Sequence, residues 1–151
     1  MPLNIKDLKI TSSDFAPLSR LADKHAGDKG NVLPKLTVSG VPEGTKELAV
    51  ICHDPDAPLA HGFTHWTVYA IDPKATDLSD AQEKYRVGSN GAGHMQYYGP
   101  QPPAGHGDHH YYFWVYALDT NVEGTPTREE FLDKYADNII EQNRIVGLYS
   151  N

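Results

Sequence analysis

Short apolar runs separated by turn residues dominate this chain, and only one segment carries a helical stripe. Ile5, Leu8 and Ile10 open it, and Met1 to Leu8, with apolar and polar residues alternating, reads as a first strand. A turn at Asp28-Lys29-Gly30-Asn31 precedes Lys35-Leu36-Thr37-Val38-Ser39, a short strand. Val41 to Thr45 is a turn, and Glu47 to His53 is a continuous apolar run of strand length, hence a buried strand. His65 to Asp72 and His110 to Leu118 are rich in aromatic and β-branched residues and are expected to be neighbours in a central sheet. In the second of these, Tyr111, Phe113, Val115 and Ala117 share one face, while Tyr112, Trp114, Tyr116 and Leu118 share the other. Both faces are therefore covered, which calls for a sandwich or a sheet flanked by other layers. Thr127-Arg128-Glu129-Glu130 has the capping-box pattern, and Phe131, Leu132, Tyr135 and Ile139 continue it as an apolar stripe. A helix is predicted from there to about Glu141, then a closing strand over Ile145 to Tyr149.

With 151 residues the chain has the usual size of one domain, taken here as residues 1–151. Its net charge of −7 disfavours attraction to nucleic acid or to an anionic leaflet. No run approaches the roughly 20 apolar residues of a membrane helix, and the first residues lack a signal peptide's basic region, so a cytoplasmic protein is expected. Cys52, the single cysteine, lies in an apolar run and is expected to be a buried, inert thiol. Self-association as a homodimer is compatible with this composition and is not assigned to any face.

Two polar blocks differ from ordinary loops. In His53-Asp54-Pro55-Asp56-Ala57-Pro58, two prolines stiffen the backbone around two aspartates, a short distance before His65-Trp66. In Tyr98-Gly99-Pro100-Gln101-Pro102-Pro103, continuing through Gly105-His106-Gly107-Asp108-His109-His110-Tyr111, prolines and glycines crowd against the start of the strongest strand. Each block puts histidine at a loop–strand junction, where rigid scaffolds commonly present binding residues.

These two blocks, in this order, resemble the signature regions of the phosphatidylethanolamine-binding protein family, in particular its short prokaryotic branch, and the likeness runs from about Leu36 to Leu118. The resemblance implies a mostly-β fold: a large central antiparallel sheet against a smaller one, with one or two peripheral helices. It also implies a ligand pocket lined by Asp54, Pro58, His65, Gly99, Pro103, His109 and Tyr111, with no cofactor. In relatives that pocket takes phosphate-like anions and phospholipid head groups, and eukaryotic members inhibit kinases or proteases through surfaces around it. Many relatives carry arginine where this chain has His110, which by strand alternation points away from the pocket if His109 points in.

The chemistry expected of such a pocket is non-enzymatic anion binding. His65, His109 and the Tyr111 hydroxyl are candidate donors, joined by the backbone N–H of Gly99 or Gly107. Asp54 either orients a histidine or receives the ammonium of a zwitterionic head group. If an imidazolium holds the anion, affinity rises as pH falls through about 6.5. Three alternatives compete, one of them a regulatory interaction module that acts on a kinase or protease as those eukaryotic members do. His106, His109 and His110, with His53, His61 and His65, invite a metal, but neither an HExxH helix nor a cysteine pair accompanies them. An Asp/His pair suits acid–base work on a phosphoester, yet Thr64 and Ser89 lack the context of an activated nucleophile. His25 and His94 are read as loop residues.

Overall fold

The computed structural model describes residues 5–151. Its centre is β3 (Glu47–Asp54), buried at all eight positions, as the apolar run demands. A strand so enclosed needs partners on both edges. It is flanked by β4 (Phe63–Ile71) and β6 (His109–Leu118) in a five-stranded antiparallel sheet of order β5-β4-β3-β6-β7, with β5 at Arg86–Val87 and β7 at Ile139–Tyr149. The expected adjacency of the two aromatic strands is thus corrected: β3 lies between β4 and β6.

A second sheet of two antiparallel strands, β1 (Lys9–Thr11) and β2 (Thr37–Ser39), pairs Ile10 with Val38 and buries both against one face of the large sheet. That core includes Tyr111, Phe113, Val115 and Ala117 of β6. On the opposite face, Ala49, Ile51, Tyr69, Tyr116 and Leu118 pack against Phe131 and Tyr135 of α2 (Arg128–Tyr135), while a one-turn helix, α1 (Ala81–Lys84), lies at the periphery. The fold is therefore the mostly-β arrangement of two antiparallel sheets with few helices, and the two faces of β6 divide as its alternation predicts.

The structure departs from expectation at the N-terminal segment, at the end of α2 and at His25. The strand expected over Met1 to Leu8 falls partly outside the described residues, and Ile5 to Leu8 is not strand. The N–H groups of Asp7 and Leu8 both donate to Oε1 of Glu141, so a side chain replaces the ladder there. Thr127 does cap α2, with its hydroxyl accepting from Glu130 N–H and the Glu130 carboxylate accepting from Thr127 N–H. The helix nevertheless ends at Tyr135, passes through a 3-10 turn (Ala136–Asn138), and gives way to β7 at Ile139. Ile139 is apolar on a helical stripe, but pairing with Leu118 buries it equally well as strand, and the long β6–β7 ladder prevails. Finally, His25 is wholly buried, with Nδ1 bonded to the Val32 carbonyl at 2.7 Å, rather than lying in an open loop.

Candidate functional site

The ends of β3, β4 and β6 converge on a cavity of about 430 Å³. Asp54 is the last residue of β3, immediately before the proline-stiffened turn. Its Oδ1 accepts from Asp56 N–H at 2.7 Å, and its Oδ2 accepts from Nδ1–H of His109, the first residue of β6, also at 2.7 Å. Both members of this pair are about 2% exposed. Water is excluded from the bond, and a carboxylate there holds the imidazole in one orientation. Of the two roles open to Asp54, orienting a histidine is the one its hydrogen bonds serve.

The other nitrogen of His109 is engaged too. Nε2 lies 2.7 Å from Nδ1 of His106, an exposed residue of the proline-glycine loop. In the neutral ring, Nε2 accepts from His106; in the imidazolium it donates. Asp54, His109 and His106 thus form a hydrogen-bonded row from the buried sheet end to the surface.

His65 reaches the cavity through a backbone irregularity. Cys52 pairs with Trp66 while His53 pairs with Thr64, so His65 is the extra residue of a bulge in β4. Bulges re-aim side chains beside sites, and here His65 turns toward the cavity while Thr64 bonds His53 on the other side of the sheet. The Nδ1–H of His65 donates to the Tyr98 carbonyl at 2.5 Å, and Tyr98 N–H donates back to the His65 carbonyl at 2.9 Å. Burial lowers the imidazole to about 4, outweighing the Tyr98 and Asp54 interactions that raise it. The ring is therefore neutral at pH 7 with its proton on Nδ1. Its Nε2, which has no partner among the described residues, offers a lone pair rather than a proton. His65 is thus not the source of the imidazolium that the expected rise in affinity near pH 6.5 requires.

Tyr111 lies two residues beyond His109 on the same face, buried, its ring edge-on to His65 at 5.2 Å. Burial foremost, and the negative charge of Asp54 next, push its hydroxyl well above the usual tyrosine range. It stays protonated, and its O–H is a donor without a partner among the described residues.

Six of the seven expected residues line the cavity: Asp54, Pro58, His65, Pro103, His109 and Tyr111. Gly99 does not. Its N–H donates to Asn31 Oδ1 at 2.6 Å, and a Cβ there would overlap the His25 carbonyl. Its lack of a side chain serves the close passage of two loops. Phe63, Tyr98, Ala57, Leu59, Ala92, Gln101 and Pro102 complete the wall. Ala57, Tyr98, Gln101 and Pro102 lay inside the two polar blocks, whereas Ala92 carried no signal: an Asx turn at Asn90, accepting from Ala92 and His94 N–H, brings it in. His110 faces elsewhere and bonds Asp56 at 2.8 Å.

Neither Lys nor Arg lines the cavity, and neither does Ser, Thr or Cys. Among the described residues no three His, Cys, Asp or Glu side chains converge as metal ligands. No helix among them is long and apolar enough to cross a membrane. Cys52 is buried, with its thiol pushed upward by burial.

A two-layer antiparallel β-fold with an Asp/His-lined cavity at the open end of its central strands is the class this geometry defines. The family model described as phosphatidylethanolamine-binding protein matches residues 11–150. The chain belongs to that family. It is 38% identical to a UPF0098 protein of Pyrococcus abyssi over 95% of this chain and 86% of that one. A UPF0098 protein of Archaeoglobus fulgidus is 35% identical over 96% of this chain, which spans about half, 52%, of that relative's length. The crystal structure of Escherichia coli YbcL, described as a new member of the mammalian family, superposes with a TM-score of 0.86 at 32% identity, covering 97% of this chain and 99% of that one.

Proposed function

We propose that the protein is a non-enzymatic binding protein whose cavity takes a phosphate-like anion, either free or as the head group of a phospholipid or phosphorylated metabolite. The observation that carries this reading is the pairing of an open acceptor, Nε2 of His65, with an open donor, the Tyr111 hydroxyl, beside a carboxylate whose oxygens are already engaged. A singly charged phosphate matches both, since its P–OH donates to His65 while a bare oxygen accepts from Tyr111. A doubly charged phosphate has no proton to give and no Lys or Arg in the wall to balance it.

Calorimetric titration of inorganic phosphate and phosphorylethanolamine tests the reading. Phosphate esters lose their second proton near pH 6, so the singly charged form prevails at pH 5.5 and tighter binding there than at pH 8 is expected. Tyr111→Phe is expected to weaken binding by about 10-fold or more, the value of one hydrogen bond to a charged group. Absence of binding to both compounds at either pH would overturn the assignment.

A further inference from the structure

A second cavity, of about 300 Å³, adjoins the first: Leu59 and Phe63 belong to the walls of both. It differs in charge. Where the first contains no fixed cation, the second is lined by Arg128, together with His61, Ser89 and Thr127. Leu59, 60% exposed, forms a low apolar rim between them.

Arg128 is poorly satisfied where it stands. Of its five N–H donors, only Nη1 has a partner among the described residues, Glu129 Oε1 at 3.3 Å, and Nε is buried with none. The side chain is 26% exposed, so part of it remains open to the groove. Arginine in the first turn of a helix also works against the helix dipole, which Glu129 and Glu130 favour. A residue unfavourable for its own helix and short of partners is of the kind that recurs at functional sites. Its field extends into the neighbourhood: His53, buried beneath, is lowered to about 4, by burial first and by Arg128 second. His53 is thus neutral at pH 7, leaving Arg128 and the partly opposing Glu129 as the fixed charges of the groove, with His61 exposed beside them.

We propose that the Arg128 groove is a second anion subsite continuous with the Asp54–His65 cavity, so that the ligand is elongated, crosses the Leu59 rim, and carries a second phosphate or carboxylate group. This rests on the phosphate reading of the first cavity. Arg128 supplies the positive charge that the first cavity lacks, and the apolar rim suits a short hydrocarbon link between the two groups. The second anion displaces Glu129 from the guanidinium and gains a charge-assisted, two-pronged contact.

The probes are α,ω-alkanediol bisphosphates of graded chain length, titrated calorimetrically beside the n-alkyl monophosphates of equal length. At one favoured length the bisphosphate is expected to bind about 10-fold tighter or more than its monophosphate, the worth of one hydrogen bond to a charged group. Arg128→Gln, which keeps much of the aliphatic stem, abolishes that gain and leaves the monophosphates unchanged. Glu129→Gln, which removes the competing carboxylate, enlarges it. Equal affinity of mono- and bisphosphate at every length overturns the subsite, as does a gain that survives Arg128→Gln or fails to grow in Glu129→Gln. If the monophosphates fail to bind the wild type, the first-cavity reading itself falls, and the elongated ligand with it.

Discussion

Replacing Asp54 by asparagine separates the charge of the buried carboxylate from its hydrogen bonds. The shape is kept, and Oδ1 still accepts from Asp56 N–H. The amide NH₂ now faces Nδ1 of His109, which bonded to Oδ2 at 2.7 Å. Two donors cannot face each other there, so His109 must move its proton to Nε2, and that N–H then donates to Nδ1 of His106, 2.7 Å away. The row Asp54–His109–His106 keeps every bond with its direction reversed. What is lost is charge assistance, the difference between a hydrogen bond to a charged group, about 1.5–3 kcal/mol, and a neutral one, about 0.5–1.5 kcal/mol. The expected destabilisation is about 1–1.5 kcal/mol, or roughly 2–6 °C in Tm for a chain of this size. Asp54→Ala, which leaves Asp56 N–H and His109 Nδ1 without partners, is expected to cost about 3 kcal/mol or more. Urea unfolding gives the energies, and long-range ¹H–¹⁵N correlation of the imidazole nitrogens gives the tautomer. If Asp54→Asn leaves His109 protonated on Nδ1, or matches Asp54→Ala in stability, the orienting role assigned to the carboxylate is wrong.

Gly99→Ala is expected to destabilise by about 1–3 kcal/mol, because its Cβ meets the backbone at His25 and Gly27, and backbone yields less readily than a side chain; an unchanged urea midpoint would refute the packing role. Stability is expected to depend on pH through His65: its folded value, about 4, lies below the unfolded value near 6.5, so the unfolded chain binds more protons between them. Stability is then fully present above about pH 6.5 and falls on the order of 3 kcal/mol toward pH 4, with His53 acting in the same direction. His65→Gln should flatten that slope by about half, read from urea midpoints across the window; an unaltered slope would exclude His65 as its source. Thr127→Ala is expected to cost about 1 kcal/mol through loss of the α2 cap, measured by thermal unfolding.

Much of the architecture was legible because the chain writes burial locally. Alternation along Tyr111 to Leu118 told which side chains share a face, the apolar run read over Glu47 to His53 told that this strand is enclosed, and Thr127 with Glu130 announced a helix start through bonds between near neighbours. The Asp-Pro and Pro-Pro blocks flagged the stiff turns that frame the cavity, since proline restricts its backbone whatever surrounds it.

What tertiary structure decided are the matters that depend on distant partners. Strand order followed from where β3 could bury both edges, and Ile139 became strand because β6 offered it a ladder longer than the helix could match. The inward turn of His65 comes from a bulge that exists only as a register between two strands, and its proton is held on Nδ1 by a carbonyl 33 residues away. Gly99, inside a binding-type motif, serves instead the close passage of the His25 backbone. Composition and periodicity encode how deeply a residue prefers to be buried; which atom meets it there is set by long-range hydrogen bonds, whose partners local sequence does not specify.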